Sequence, residues 1–144
     1  MKLLTPDSLA ELITSCNEMD GYKSFVILHS ASEVCNIIDA FSEKLDTDGF
    51  SGIMSTEYNH TEGLISFKNG SYIKTITARN ASRSVMRGAN NILFDVHSGL
   101  SAEELENIKA FEMEYKYDDP PKSKLYRSKE LDKFLNKFKI IKEI

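Results

Sequence analysis

The sequence predicts a small α/β domain: a sheet with parallel core strands, one β-hairpin and flanking helices. Three observations predict it. Phe25-Val26-Ile27-Leu28 and Ile92-Leu93-Phe94-Asp95 are short, continuous apolar runs that suit strands buried on both faces of a parallel sheet. Behind the first run lies a capped amphipathic stretch, which is how parallel neighbours are joined by a crossover. Between the two runs, Asn69-Gly70 separates two further strand-like segments. Both turn residues tolerate positive φ, so this is a hairpin signal.

The elements follow in order. Thr5 is placed to cap a helix whose first residue is Pro6, and Leu9, Leu12, Ile13 and Cys16 share one face, giving a helix to about Met19. Asp20-Gly21 ends it. Ser24 to His29 is the first buried strand. Ser30 and Glu33 form a capping-box pair ahead of the stripe Val34, Ile37, Ile38, Phe41 and Leu45. Asp46 to Gly52 is a loop and Ile53-Met54-Ser55 a short strand. Leu64 to Lys68 and Ser71 to Ile76 are the hairpin arms. Residues 78–90 have no apolar period and read as a loop rich in Arg, Ser and Asn. Ile92 to Asp95 is the second buried strand. Ser101 with Glu104 caps a helix carrying Leu105, Ile108, Phe111 and Tyr115. Residues 1–119 therefore read as a single α/β domain. Pro120-Pro121 breaks the chain, and in 120–144 Ser128 opens a Lys-rich amphipathic helix with Leu131, Phe134, Leu135, Phe138 and Ile141 on its apolar side.

Composition bounds the function. The chain has 144 residues, 41% hydrophobic and 28% charged, which fits one core and excludes wholesale disorder. Its apolar runs are too short to span a bilayer, and Met1-Lys2-Leu3-Leu4 is followed at once by Thr5, Pro6 and Asp7 rather than by a signal-peptide stretch. Cys16 and Cys35 have no metal-type spacing and read as small apolar residues of a reducing compartment. The expectation is a cytoplasmic protein with no membrane contact.

Charge comes in blocks. The formal net is −4, made of −8 over residues 1–64, +5 over 65–94, −6 over 95–119 and +5 over 120–144. Lys68, Lys74, Arg79, Arg83 and Arg87 occupy the acid-free second block, and these are the residues that would contact a nucleic acid or a protein partner. Blocks of alternating sign also pair within one domain, and a net negative chain is a poor dedicated nucleic-acid binder. A protein partner is the first expectation, with weak, sequence-blind nucleic-acid binding the second.

Four motifs in fixed order carry a resemblance. They are the strand and small polar turn Phe25-Val26-Ile27-Leu28-His29-Ser30-Ala31-Ser32, the hairpin Ile65 to Ile73 with its Asn69-Gly70-Ser71 turn, the Ser/Ala-rich loop Ala81 to Asn91 containing Arg87-Gly88, and the acidic strand Ile92-Leu93-Phe94-Asp95. Over residues 8–110 this order resembles the ATPase core of tailed-phage large terminases, the DNA-packaging motors. The resemblance implies a RecA-like fold, a Walker-B-like acid at Asp95 and an Arg87-Gly88 loop near the nucleotide.

The departures set the functional expectation. No G-x-x-x-x-G-K-[ST] loop is present, so no glycine-rich turn with a helix behind it cradles a triphosphate. Where the family has a catalytic glutamate beside the Walker B acid this chain has Val96, and the family's nuclease domain is missing. The resemblance then implies a non-catalytic phage or prophage protein with a degenerate ATPase core, needing no cofactor and working by binding a partner. The alternative is a subunit or fragment of a packaging motor whose phosphate loop comes from another chain.

Three further patterns bear on possible chemistry. His29, Asp95 and His97 fall near the carboxyl ends of the two buried strands, where α/β folds place ligands, with His97 on the side of Asp95 if the strand continues. They lack diagnostic metal spacing, and no metal is assigned. Residues 46–57 match positions one, three, eight and twelve of a calcium loop, but Phe50 and Ser51 stand where a ligand and a glycine belong. No nucleophile elbow, H-E-x-x-H or C-x-x-C occurs.

Overall fold

The computed structural model describes residues 1–45, 53–59, 62–81 and 86–114. It is an α/β fold with a mixed six-stranded sheet and, among the described residues, three α-helices. The elements run β1 (Lys2–Leu3), α1 (Pro6–Glu18), β2 (Lys23–Leu28), α2 (Ala31–Leu45), β3 (Ile53–Tyr58), β4 (Glu62–Phe67), β5 (Tyr72–Thr77), a 3-10 turn (Ala78–Asn80), β6 (Asn91–Phe94) and α3 (Ala102–Lys109). Strand order across the sheet is β1-β6-β2-β5-β4-β3. The first four are mutually parallel, and β5-β4-β3 is an antiparallel meander.

The two buried strands are parallel neighbours, as their double-sided apolar character predicts, with Ile27 opposite Phe94. Period-two alternation sorts β2: Ser24, Val26 and Leu28 face one side, Phe25 and Ile27 the other. On the first side lies the larger core. There α1 contributes Leu9, Leu12, Ile13 and Cys16, α2 contributes Val34, Ile37, Ile38 and Phe41, and the sheet supplies Val26, Leu28, Ile65, Phe67, Ile73 and Leu93. α1 lies over β2 and β6, and α2 crosses β3, β4, β5 and β2. The second side carries a smaller cluster: Phe25, Ile27, Ile76 and Ile92 meet Met86, Ala89 and Ile108 of α3.

α1 begins as its sequence dictates: Thr5 Oγ1 accepts from the Ser8 N–H at 3.0 Å, Ser8 Oγ accepts from the Thr5 N–H at 2.8 Å, and Pro6 takes the first turn. Ser101 and Glu104 form the expected box on α3. Three local expectations change. Glu33 reaches past Ser30 and accepts from the His29 N–H at 3.0 Å, while Ser30 Oγ bonds Ser32 Oγ, so the box before α2 is replaced by these contacts. β3 runs to Tyr58 rather than stopping at Ser55, because β4 pairs with it from Ser55 to Tyr58 beyond a register shift after Ile53. α3 stops at Lys109 rather than continuing through Phe111. The chain turns there to pair Glu112 with Ala89, and Glu112 caps the Ile92 N–H at 2.9 Å and binds the Met1 ammonium. A tertiary ladder has overridden helical periodicity.

β1 escapes sequence reading because two residues have no period. It forms by register with β6, and Leu4 N–H then donates to Phe94 O at 2.8 Å. Loop 46–52, Arg83, Tyr115 and the whole of 120–144 with its expected helix lie outside the described residues. Among the described residues, no helix is long and apolar enough to cross a membrane.

Candidate functional site

Because β1, β6, β2 and β5 are parallel, their carboxyl ends share one edge of the sheet. The connection from β2 leads to α2 on one face and that from β6 to α3 on the other, so chain diverges between these neighbours. This is the geometry of the ligand crevice of open α/β folds. Asp95 and His29 sit there, as the sequence places them. Asp95 is buried, its N–H donates to Ile27 O at 2.9 Å, its Oδ1 accepts from the His97 N–H at 3.2 Å and its carbonyl accepts from the Ser98 N–H at 2.9 Å. The strand has ended at Phe94, so His97 lies in a tight turn rather than on the strand, and the expected same-side alternation does not apply. Both histidines are exposed. Among the described residues no group of three or more His, Cys, Asp or Glu side chains is arranged to hold a metal ion.

The basic residues that adjoin in sequence separate in space. Lys68 is exposed on the hairpin turn, at the amino edge of the parallel strands. Arg79 is exposed just beyond Thr77, at the carboxyl edge. The whole of β5 lies between them, about 20 Å for six residues. Lys74 points to the second face, with Nζ 3.6 Å from Glu62 Oε2 across the β4–β5 pair. Arg87 is exposed and lies over the Phe111 ring, 5.8 Å from its centroid. Arg83 lies outside the described residues. The four described groups do not form one basic surface.

Asn69-Gly70-Ser71 is a hairpin turn and also the C-terminal cap of α1. Asn69 Nδ2 donates to the carbonyls of Cys16 at 2.7 Å and of Asn17 and Met19 at 3.3 Å, while Oδ1 accepts from the Ser71 N–H at 3.0 Å. Ser71 Oγ donates to Met19 O at 2.6 Å and accepts from the Tyr22 N–H at 2.9 Å. Gly70 takes φ 85°, a value that favours glycine. Helix carbonyls left without intrahelical partners are thus satisfied by a turn some fifty residues away. This role accounts physically for the residue types of the turn.

A concavity lies on the second face, beyond the reach of α3. On the first face of β4 and β5 the residues Gly63, Ile65, Phe67, Ile73 and Thr75 are buried. On the second, Glu62, Leu64, Ser66, Tyr72 and Lys74 are only half-buried, and Glu57 on β3 is exposed. These strands form a cleft of about 600 Å³. It is lined by Phe25, Leu64 and Tyr72 together with Glu57, Glu62 and Lys74, and the register sets Lys74 between Leu64 and Phe25. Phe25 and Tyr72 meet edge to face, ring centroids 6.0 Å apart, and burial pushes the Tyr72 phenol above its ordinary pKa. Sequence reasoning passed over Leu64, Tyr72, Glu57 and Glu62. The available signal was an apolar and an aromatic residue on the otherwise polar positions of the hairpin. No family model, curated protein or solved structure matches the chain.

Proposed function

We propose that this chain is a non-catalytic binding protein, built on a degenerate terminase-like core of phage or prophage origin, that holds a protein partner on the open half of its sheet. The cleft carries the reading. Apolar Phe25, Leu64 and Tyr72 stand there beside the carboxylates of Glu57 and Glu62 on the β3–β4 side, an apolar surface for the stripe of a basic amphipathic helix with counter-charges along one flank. The order of the four motifs supports the terminase-like origin. The packaging-motor alternative draws less support, because the Asp95 carboxylate is buried and engaged within its own turn.

The test is a titration of a Lys-rich amphipathic 15-residue helical peptide into isotope-labelled protein, followed by NMR. Saturable shifts confined to residues 57–64 and 72–74, weakened by salt and lost in Glu57→Lys with Glu62→Lys, are expected. Shifts elsewhere, or none at millimolar peptide, overturn the reading. Saturable binding of an ATP analogue that disappears in Asp95→Asn would overturn it in favour of the packaging-motor subunit.

A further inference from the structure

We infer that the cleft selects a charge-segregated partner helix: an apolar stripe over Leu64 and Tyr72, a carboxylate flank turned to Lys74 and a basic flank turned to Glu57. The inference rests on the reading of the cleft as a helix-accepting surface and names the partner chemistry that Lys74 adds to it.

The sheet register sets the spacing. Phe25, Lys74, Leu64 and Glu57 are successive cross-strand partners on β2, β5, β4 and β3, so they form one row across the second face. Lys74 and Glu57 therefore stand on opposite sides of Leu64, two strand spacings or about 10 Å apart. A helix with its side chains is about 10–12 Å across, so one helix laid along the strands over Leu64 brings one flank to each charge. α3 already covers the other half of this face through Ile108, and a helix on the open half continues that layer.

Lys74 sets the chemistry. It is half-buried between Phe25 and Leu64, and its Nζ stands 3.6 Å from Glu62 Oε2, an ion pair beyond hydrogen-bond reach. A purely apolar cover would strip water from this ammonium and leave its N–H donors unfilled, which is unfavourable. A partner carboxylate fills them, whereas a partner lysine brings like-charge repulsion. Glu57 is exposed and held by no ion pair among the described residues, so it is the counter-charge for a partner base.

The test uses two 15-residue helical peptides of identical composition, each titrated into isotope-labelled protein and followed by NMR. Such a helix is about 22 Å long, against about 20 Å for the six-residue strands beneath it. Both peptides carry the same leucine stripe. In one, glutamates line one flank and lysines the other; in the second, the two residue types are mixed on both flanks. The segregated peptide should bind about tenfold tighter, with shifts in residues 57–64 and 72–74. Lys74→Met, which keeps an unbranched apolar stem, should abolish that preference. In Lys74→Glu with Glu57→Lys the flanks are exchanged, so the segregated peptide should bind turned end for end. A spin label at its N-terminus then broadens Glu62 in one chain and Ser66 with Tyr72 in the other. Equal affinity of the two peptides at the cleft, or a preference that survives Lys74→Met, overturns the inference and leaves the partner-binding reading standing. Shifts confined to Thr56 and Tyr58 on the outer strand β3, or no binding of either peptide, overturn both.

Discussion

Asn69 Nδ2 lies 2.7 Å from the carbonyl oxygen of Cys16, joining a β-hairpin turn to the last turn of a helix more than fifty residues earlier. The Cys16 and Asn17 carbonyls of α1 and the Ser71 N–H bond this one side chain, which shares the Met19 carbonyl with Ser71 Oγ. Asn69→Ala should lower unfolding free energy by about 1–3 kcal/mol, since buried acceptors lose their donor. Asn69→Asp should cost more, because a carboxylate cannot donate and faces the negative end of the helix dipole. Urea denaturation of both variants checks the ranking, and an Asp variant as stable as wild type would show that the cap does not matter.

At Gly63 the Ile38 side chain of α2 packs directly against β4. A Cβ built there meets Ile38 Cδ1 at 2.7 Å as well as Thr75 Oγ1. Gly63→Ala should therefore push α2 off β4 and cost about 1–3 kcal/mol, an overpacking effect visible as a lower thermal midpoint. Gly70→Ala meets no neighbour, so its cost should be confined to backbone strain at φ 85°, about 1 kcal/mol.

Thr75 Oγ1 is buried with no hydrogen-bond partner among the described residues. A hydroxyl in that position has lost its water without replacement, so Thr75→Val should leave stability unchanged or raise it by about 1 kcal/mol. Thermal unfolding settles the sign. A loss above 1 kcal/mol would mean that the hydroxyl is satisfied in solution.

The two thiols should differ in reactivity. Cys16 is buried, and desolvation pushes its pKa up to about 12 despite a hydrogen bond with Ser24. Cys35 is only partly buried. An aromatic disulfide reagent should modify one thiol quickly in native protein at pH 8, and the second only after unfolding. The sign of the linkage is fixed: the folded state holds the Cys16 proton more tightly than the unfolded chain. The associated stability is full below the ordinary thiol pKa of 9 and is lost as pH rises from there toward 12.

Nucleic-acid binding, where detectable, should respond to the basic residues singly. Lys68 and Arg79 lie at opposite edges of the sheet, and Lys74 is near Glu62. Each alanine variant should reduce the salt slope by no more than about one unit, with no synergy between Lys68→Ala and Arg79→Ala. Strong synergy in filter-binding titrations would place both on one contact surface.

Local chemistry determined much of this protein. Thr5-Pro6 and Ser101 with Glu104 start their helices because a capping oxygen and a fixed φ act within one turn. The runs 25–28 and 92–95 form parallel neighbours because a strand buried on both faces leaves few other places to go. The placement of His29 and Asp95 at one sheet edge follows from the same reading. Only the tertiary structure decided the rest, since it depends on residues distant in sequence meeting by register. The two residues of β1 become a strand only beside β6. Glu112 ends α3 because Ala89, Ile92 and Met1 are there to receive it. Lys74 faces an acid, and Lys68 and Arg79 part company, because β5 carries its side chains to alternate faces and its ends to opposite edges of the sheet. The cleft arises because α3 covers β2 and β6 on the second face and leaves Leu64 and Tyr72 of the hairpin half-exposed.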